Sequence, residues 1–167
     1  MSRPLFLIEI ERVRWDEFHT TGERSHEVPA ALRQMLSGQS EDEVMEGYWG
    51  LENVVVVQGQ LFSAALPTLE VVLAGLADDL APDARDAALE LAFQIVSGES
   101  DEEEVARGNA DLGPACRRAA QQGKWLFYRE LGTRRRKLAE SVLELVEDDK
   151  SRLPAFLAAL RGKDMPR

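Results

Sequence analysis

Four prolines restart an apolar helical pattern along this chain, at Val28-Pro29, Leu66-Pro67, Gly113-Pro114 and Leu153-Pro154, with gaps of 38, 47 and 40 residues. A proline has no N–H to donate, so it is tolerated in the first turn of a helix and disruptive further in. Near-regular recurrence therefore marks near-regular helix starts. The clearest unit is Leu66 to Ile95, two amphipathic helices joined by a short Pro/Asp turn. A single helical hairpin cannot bury its apolar face, so it requires neighbours of the same kind, and a period of roughly 40–47 residues is that of stacked helical hairpins.

Local signals divide the chain accordingly. Ser40 followed by Glu43 is a capping-box signal. The helix behind it is expected from Glu41 to about Val57, with Val44, Tyr48, Leu51 and Val55 on one side. Val54 to Val57 is strand-like by propensity, but it ends a helical period, which favours helix. Gln58-Gly59-Gln60 breaks the chain. Leu61 to Leu76 follows, either kinked at Pro67 or regular only from that residue on. Asp83 is expected to cap a helix to about Val96, and residues 99–104 to form a polar, acidic loop. Asn109, Gly113 and Pro114 delay regular structure until Ala115. Ala115 to Gln122 and Trp125 to Leu131 read as one helix broken near Gly123 or as two. Arg134 to about Asp148 and Asp149 to Leu160 complete the set, with Gly162 as a stop. Leu5 to Trp15 fits either a short strand or a helical turn.

The pattern Pro67…Leu73…Leu76-Ala77-Asp78…Ala84-Arg85…Ala87-Ala88…Leu91 resembles a HEAT repeat. Pro29…Met35-Leu36…Val44…Leu51 follows the same frame but carries Met45 where the motif has arginine. The third unit has an insertion around Gly123-Lys124-Trp125, and the fourth is half a repeat. Trp15…His19…Gly22…Val28-Pro29 and Gln58-Gly59…Ala64…Pro67 also resemble stretches of bacterial HEAT-like proteins, some of which look like immunity proteins encoded beside secreted toxins. The resemblance covers most of residues 15–96. The fold it implies is an all-α, right-handed α-solenoid in one domain of 1–167, with hairpins at about 27–57, 61–97 and 111–148 and a terminal helix at 149–161.

A chain of 167 residues with one cysteine has no disulfide framework, and Cys116 reads as a small buried apolar residue in a reducing compartment. The apolar run in MSRPLFLIEIER is too short to span a bilayer and no signal-peptide pattern follows, so a cytoplasmic location is expected. Charge is unevenly spread. Residues 1–104 hold 22 Asp/Glu against 6 Arg, and residues 105–167 hold 14 Lys/Arg against 8 acids. An acidic majority disfavours phosphate backbones and membranes and favours a basic partner.

Chemistry leaves little trace. The two histidines, His19 and His26, lie in a turn-rich segment without a G-x-S-x-G or Cys/His arrangement, so no catalytic residues are assigned. Metal-ligand spacings and phosphate-binding glycine loops are also missing, and no metal or cofactor is expected. The polar stripes of the second helices stand out instead: Glu46 and Asn53 in the first hairpin, Asp86, Glu90 and Gln94 in the second, and Glu140 and Glu144 in the third. Singly each is an ordinary solvated residue. Taken together they form an acidic groove, with Trp49, Trp125 and Tyr128 as candidate anchors or core. The run Arg134-Arg135-Arg136-Lys137 falls in a first helical turn, where positive charge opposes the helix dipole. An intramolecular acidic partner, a protein partner and nucleic acid all remain open to it.

These features lead to an expected non-enzymatic protein-binding module. In its sharper form it is an immunity protein that captures a basic toxin domain. A HEAT-like nucleic-acid binder using the basic run, or a general scaffold, is the alternative.

Overall fold

The prolines open helices in the computed structural model, which describes residues 2–164. Pro29 stands in the first turn of its helix, Pro67 and Pro114 at the third residue of theirs, and Pro154 likewise. Among the described residues there are ten α-helices and a small three-stranded sheet. In chain order they are α1 (Leu5–Arg12), α2 (Val28–Ser37), α3 (Glu41–Trp49), β1 (Val56–Val57), β2 (Gln60–Leu61), α4 (Ala65–Ala77), α5 (Pro82–Val96), β3 (Glu99–Ser100), α6 (Glu102–Ala106), α7 (Leu112–Gln122), α8 (Lys124–Tyr128), α9 (Arg136–Val146) and α10 (Arg152–Asp164). Short 3-10 turns fill 15–27 and follow α8. No helix is long and apolar enough to cross a membrane among the described residues.

Helix α5 is the centre of the packing. It touches α2, α3, α4, α7 and α9, and Ala84, Ala88, Leu91 and Ile95 on it are fully buried. Alternating alanines and larger aliphatics let neighbours approach from several sides, as a core helix requires. The pairs α2/α3 and α4/α5 are antiparallel neighbours in sequence, while α7 packs on α4, α5 and α9. The α2/α3 pair is closest at Gly47, where an added Cβ would come within 2.5 Å of the Met35 amide nitrogen and 2.8 Å of the Ala31 carbonyl.

The N-terminal segment, ambiguous by pattern, is helical in α1. It lies along α4 and buries Phe6 and Ile10. Its first amides are capped from a distance. Asp78, in the turn between α4 and α5, accepts from the Leu5 amide at 3.0 Å and the Phe6 amide at 3.1 Å. Arg85 binds the other side of that turn, donating to the Asp78 carbonyl at 2.7 Å and the Leu76 carbonyl at 3.2 Å.

Four expectations about element ends need correction. The helix expected to Val57 ends at Trp49, and Val56–Val57 pairs antiparallel with Gln60–Leu61. Gln58 (φ 50°) and Gly59 (φ 79°) form the two-residue turn, both left-handed, which matches the twist of a tight hairpin. β2 then pairs in parallel with β3, tying the α3–α4 connection to the end of α5. Asp83 is not the cap of α5: Ala81 holds that position, and Pro82 opens the helix. α7 begins at Leu112, ahead of Gly113 and Pro114, because those residues occupy its first turn. Gly162 does not stop α10, which runs to Asp164.

The 99–104 stretch, expected as a polar, acidic loop, instead forms β3 and the start of α6, with Glu99, Glu102 and Glu103 exposed. Asp101 caps α6, and Glu104 is completely buried. Its carboxylate accepts from the Ser63 amide (3.2 Å), Arg107 (2.9 Å) and the Asn109 side chain (2.8 Å). Two more glutamates are buried with partners. Glu130 meets Arg85 at 3.2 Å and Thr133 at 3.0 Å, and Glu147 accepts from the Tyr128 hydroxyl at 2.7 Å. A buried charge is tolerated only when paired and hydrogen-bonded in this way.

Candidate functional site

A groove of about 570 Å³ opens between α3, α5 and the start of α9. α3 presents Glu41, Val44, Met45, Tyr48 and Trp49 to it, at the spacing of one helical face, and the turn beyond adds Glu52. α5 supplies Asp83, Asp86, Ala87, Glu90 and Gln94, again one face. The third wall is Arg134, Arg135, Lys137 and Leu138. The floor is thus apolar and the rims are charged, with five carboxylates facing three cations.

The cations do not all point to solvent. Arg134 and Arg135 both bind Asp86, at 2.8 Å and 2.5 Å, and Arg135 also lies 3.7 Å from Glu130. The basic run is therefore anchored to the acidic α5. Arg136 faces away from the groove and approaches Glu140 at 4.0 Å. Glu41, Glu52, Asp83 and Glu90 take no ion pair among the described residues, although Gln94 donates to Glu90 at 3.1 Å. Lys137 is likewise without an ion pair among the described residues, so the groove's uncommitted charge is four carboxylates against one cation.

Two aromatic residues shape the α3 wall. Trp49 is 54% exposed, an unusual state for tryptophan, and its ring stands edge-on to Tyr48 with centroids 5.1 Å apart and planes at 81°. Tyr48 is buried to its tip. Burial first, then Glu52 and Glu90, push its phenol well above the ordinary value of 10.0, so it stays a neutral O–H donor beside the carboxylates.

The expected stripe is only partly brought together. Asp86, Glu90 and Gln94 line the groove. Glu46 is exposed off the α3 face, because the groove side of that helix is set by Val44, Met45, Tyr48 and Trp49. Asn53 lies beyond the helix end at φ 72°, its amide donating to the Val56 carbonyl at 2.7 Å. Glu140 is turned toward Arg136, and Glu144 borders a second groove beside α10. Glu41, Glu52 and Asp83, the last expected only as a helix cap, also join the site although none of them is in the expected stripe. Their signal is the i, i+3, i+4 frame through Tyr48 on α3 and through Ala87 on α5.

Elsewhere, chemistry is sparse. Cys116 is fully buried, and burial pushes its thiol up to about 12. His19 engages through its backbone, its amide donating to Ser63 Oγ at 2.8 Å and its carbonyl accepting from the Ala64 amide at 3.0 Å. Among the described residues, no group of three or more His, Cys, Asp or Glu side chains is placed to hold a metal ion. Trp125, outside the groove, is 52% exposed, against Tyr128 and Phe156 and beneath Arg152.

The chain matches no family model, no curated protein and no solved structure.

Proposed function

We propose that this chain is a non-enzymatic protein-binding module whose α3/α5/α9 groove receives a basic partner. The observation that carries this reading is the exposed Trp49 on an apolar floor, ringed by Glu41, Glu52, Asp83 and Glu90. An exposed tryptophan beside a concave apolar surface is the usual make-up of an interface hot spot, and uncommitted carboxylates steer a positive partner toward it.

The sharper form is a cytoplasmic immunity protein that occludes a basic toxin domain. The acidic excess, the small size, the lone buried Cys116 and the HEAT-like sequence pattern support it. In this reading α2/α3, α4/α5 and α7/α9 are successive hairpins of a short right-handed α-solenoid, with α5 in the middle row between α3 and α9. A nucleic-acid role is less well supported, because Arg134 and Arg135 are held on Asp86 rather than offered to phosphates.

Co-expression with toxin domains encoded beside its gene is the direct test. Restored growth that Trp49→Ala or Glu90→Lys abolishes supports the reading. Growth that no neighbouring toxin impairs, or that the wild-type chain never restores, overturns the immunity form.

A further inference from the structure

Helix α10 is apolar on more sides than the rest of the molecule covers. It packs on α9 and on the turn after α8 through Leu153, Leu157 and Leu160, and Phe156 leans on Tyr128 and Trp125, while Pro154, Ala155, Ala158 and Ala159 stay exposed. Helices apolar around most of their circumference are ordinarily enclosed. Along one flank Leu143, Leu153, Pro154, Leu157 and Ala158 line a groove of about 540 Å³.

Charge along this groove runs from one sign to the other. Glu144, near the end of α9, and Asp149, in the turn before α10 and itself bound by Ser151, line one part of the groove, and the exposed Arg161 lies about three turns along from Asp149. The cations near the start are already engaged. Lys150 donates to the Glu147 carbonyl at 2.9 Å, and Arg152 lies 3.4 Å from Glu147 and 3.6 Å from Asp149. An apolar face that is acidic at one end and basic at the other is complementary to itself when one copy is turned end for end. A two-fold axis imposes that arrangement. Antiparallel α10 helices also align their dipoles favourably, whereas a parallel pair sets like charge against like.

We propose that this face pairs two copies of the chain, α10 against α10 in antiparallel register, with Arg161 of each copy meeting Glu144 of the other. The contact lies apart from the α3/α5/α9 groove, so it stands or falls independently of the partner-binding reading.

Sedimentation equilibrium of the whole chain tests it. The wild type is expected to show a concentration-dependent dimer, and Ala158→Glu, at an exposed position, a monomer with unchanged circular dichroism. Glu144→Arg and Arg161→Glu should each weaken the dimer by about tenfold or more, and the double variant should restore it. A wild-type chain that stays monomeric up to about 100 µM overturns the proposal. So does a dimer indifferent to Ala158→Glu and to the charge swap. A monomer that instead pellets with phosphatidylglycerol vesicles through α10 also overturns it, since the occupant is then lipid.

Discussion

Arg135 donates from Nε to Asp86 Oδ1 at 2.5 Å across a sequence separation of 49 residues, and Arg134 takes the other carboxylate oxygen. This one aspartate converts the most basic run of the chain into a wall of an acidic groove. Asp86→Asn should release Arg134 and loosen Arg135, which keeps Glu130 and the Pro82 carbonyl. The pair is partly exposed, so the stability cost is expected to be about 0.5–1 kcal/mol and to shrink with added salt. The variant should also gain retention on heparin at low salt that the wild type lacks.

Glu104 offers a sharper stability test. It is fully buried and receives Ser63, Arg107 and Asn109. Glu104→Ala strands all three donors and is expected to cost about 3–5 kcal/mol in urea denaturation. Glu104→Gln, which keeps the shape and an acceptor, should cost less.

In the core, Leu91 is fully buried on α5, the helix that touches α2, α3, α4, α7 and α9. Leu91→Ala should destabilise by about 2–5 kcal/mol by denaturant titration. A loss below about half a kcal/mol, the mark of a surface position, would mean that α5 is rotated from the orientation described.

The acid limb of stability should depend on Tyr128. Burial alone would raise Glu147, but the Tyr128 hydroxyl, the Asp149 amide and Arg152 outweigh it and hold the carboxyl below its ordinary value of 4.5. A carboxyl with a depressed folded pKa stabilises above its unfolded value and loses that contribution as pH falls through the folded one. Tyr128→Phe should therefore lower stability by about 1.5–3 kcal/mol at neutral pH and flatten its decline under acid. Unfolding curves recorded from neutral pH downward check both parts.

Much of this architecture is legible in the residues themselves. The α4–α5 hairpin is clear because its apolar period, Pro67 and the Asp78…Arg85 spacing agree at every level. The β1–β2 hairpin is hidden because Val54 to Val57 prolongs a helical period and its turn is Gln58-Gly59, without the usual asparagine or aspartate. Glu104 is hidden for another reason. Inside the run Asp101 to Glu104 nothing local separates the one residue that folds inward, and its partner Ser63 comes from a segment 41 residues away. The site follows the same rule. Asp86, Glu90 and Gln94 are on one face of a long regular helix, whereas the phase of the short α3 is set by tertiary packing, which moves Glu46 out and brings Glu41 and Glu52 in.

Trp49 and Trp125 are nearly equally exposed, at 54% and 52%, but only Trp49 lies in the acidic groove. If co-expression identifies a toxin domain against which the wild type restores growth, isothermal titration of Trp49→Ala and Trp125→Ala with that domain is the most direct measurement of the proposed groove. The expected result is a loss of about 2 kcal/mol or more for Trp49→Ala and little change for Trp125→Ala. Unchanged affinity for Trp49→Ala with a loss for Trp125→Ala would place the partner elsewhere and contradict the assignment.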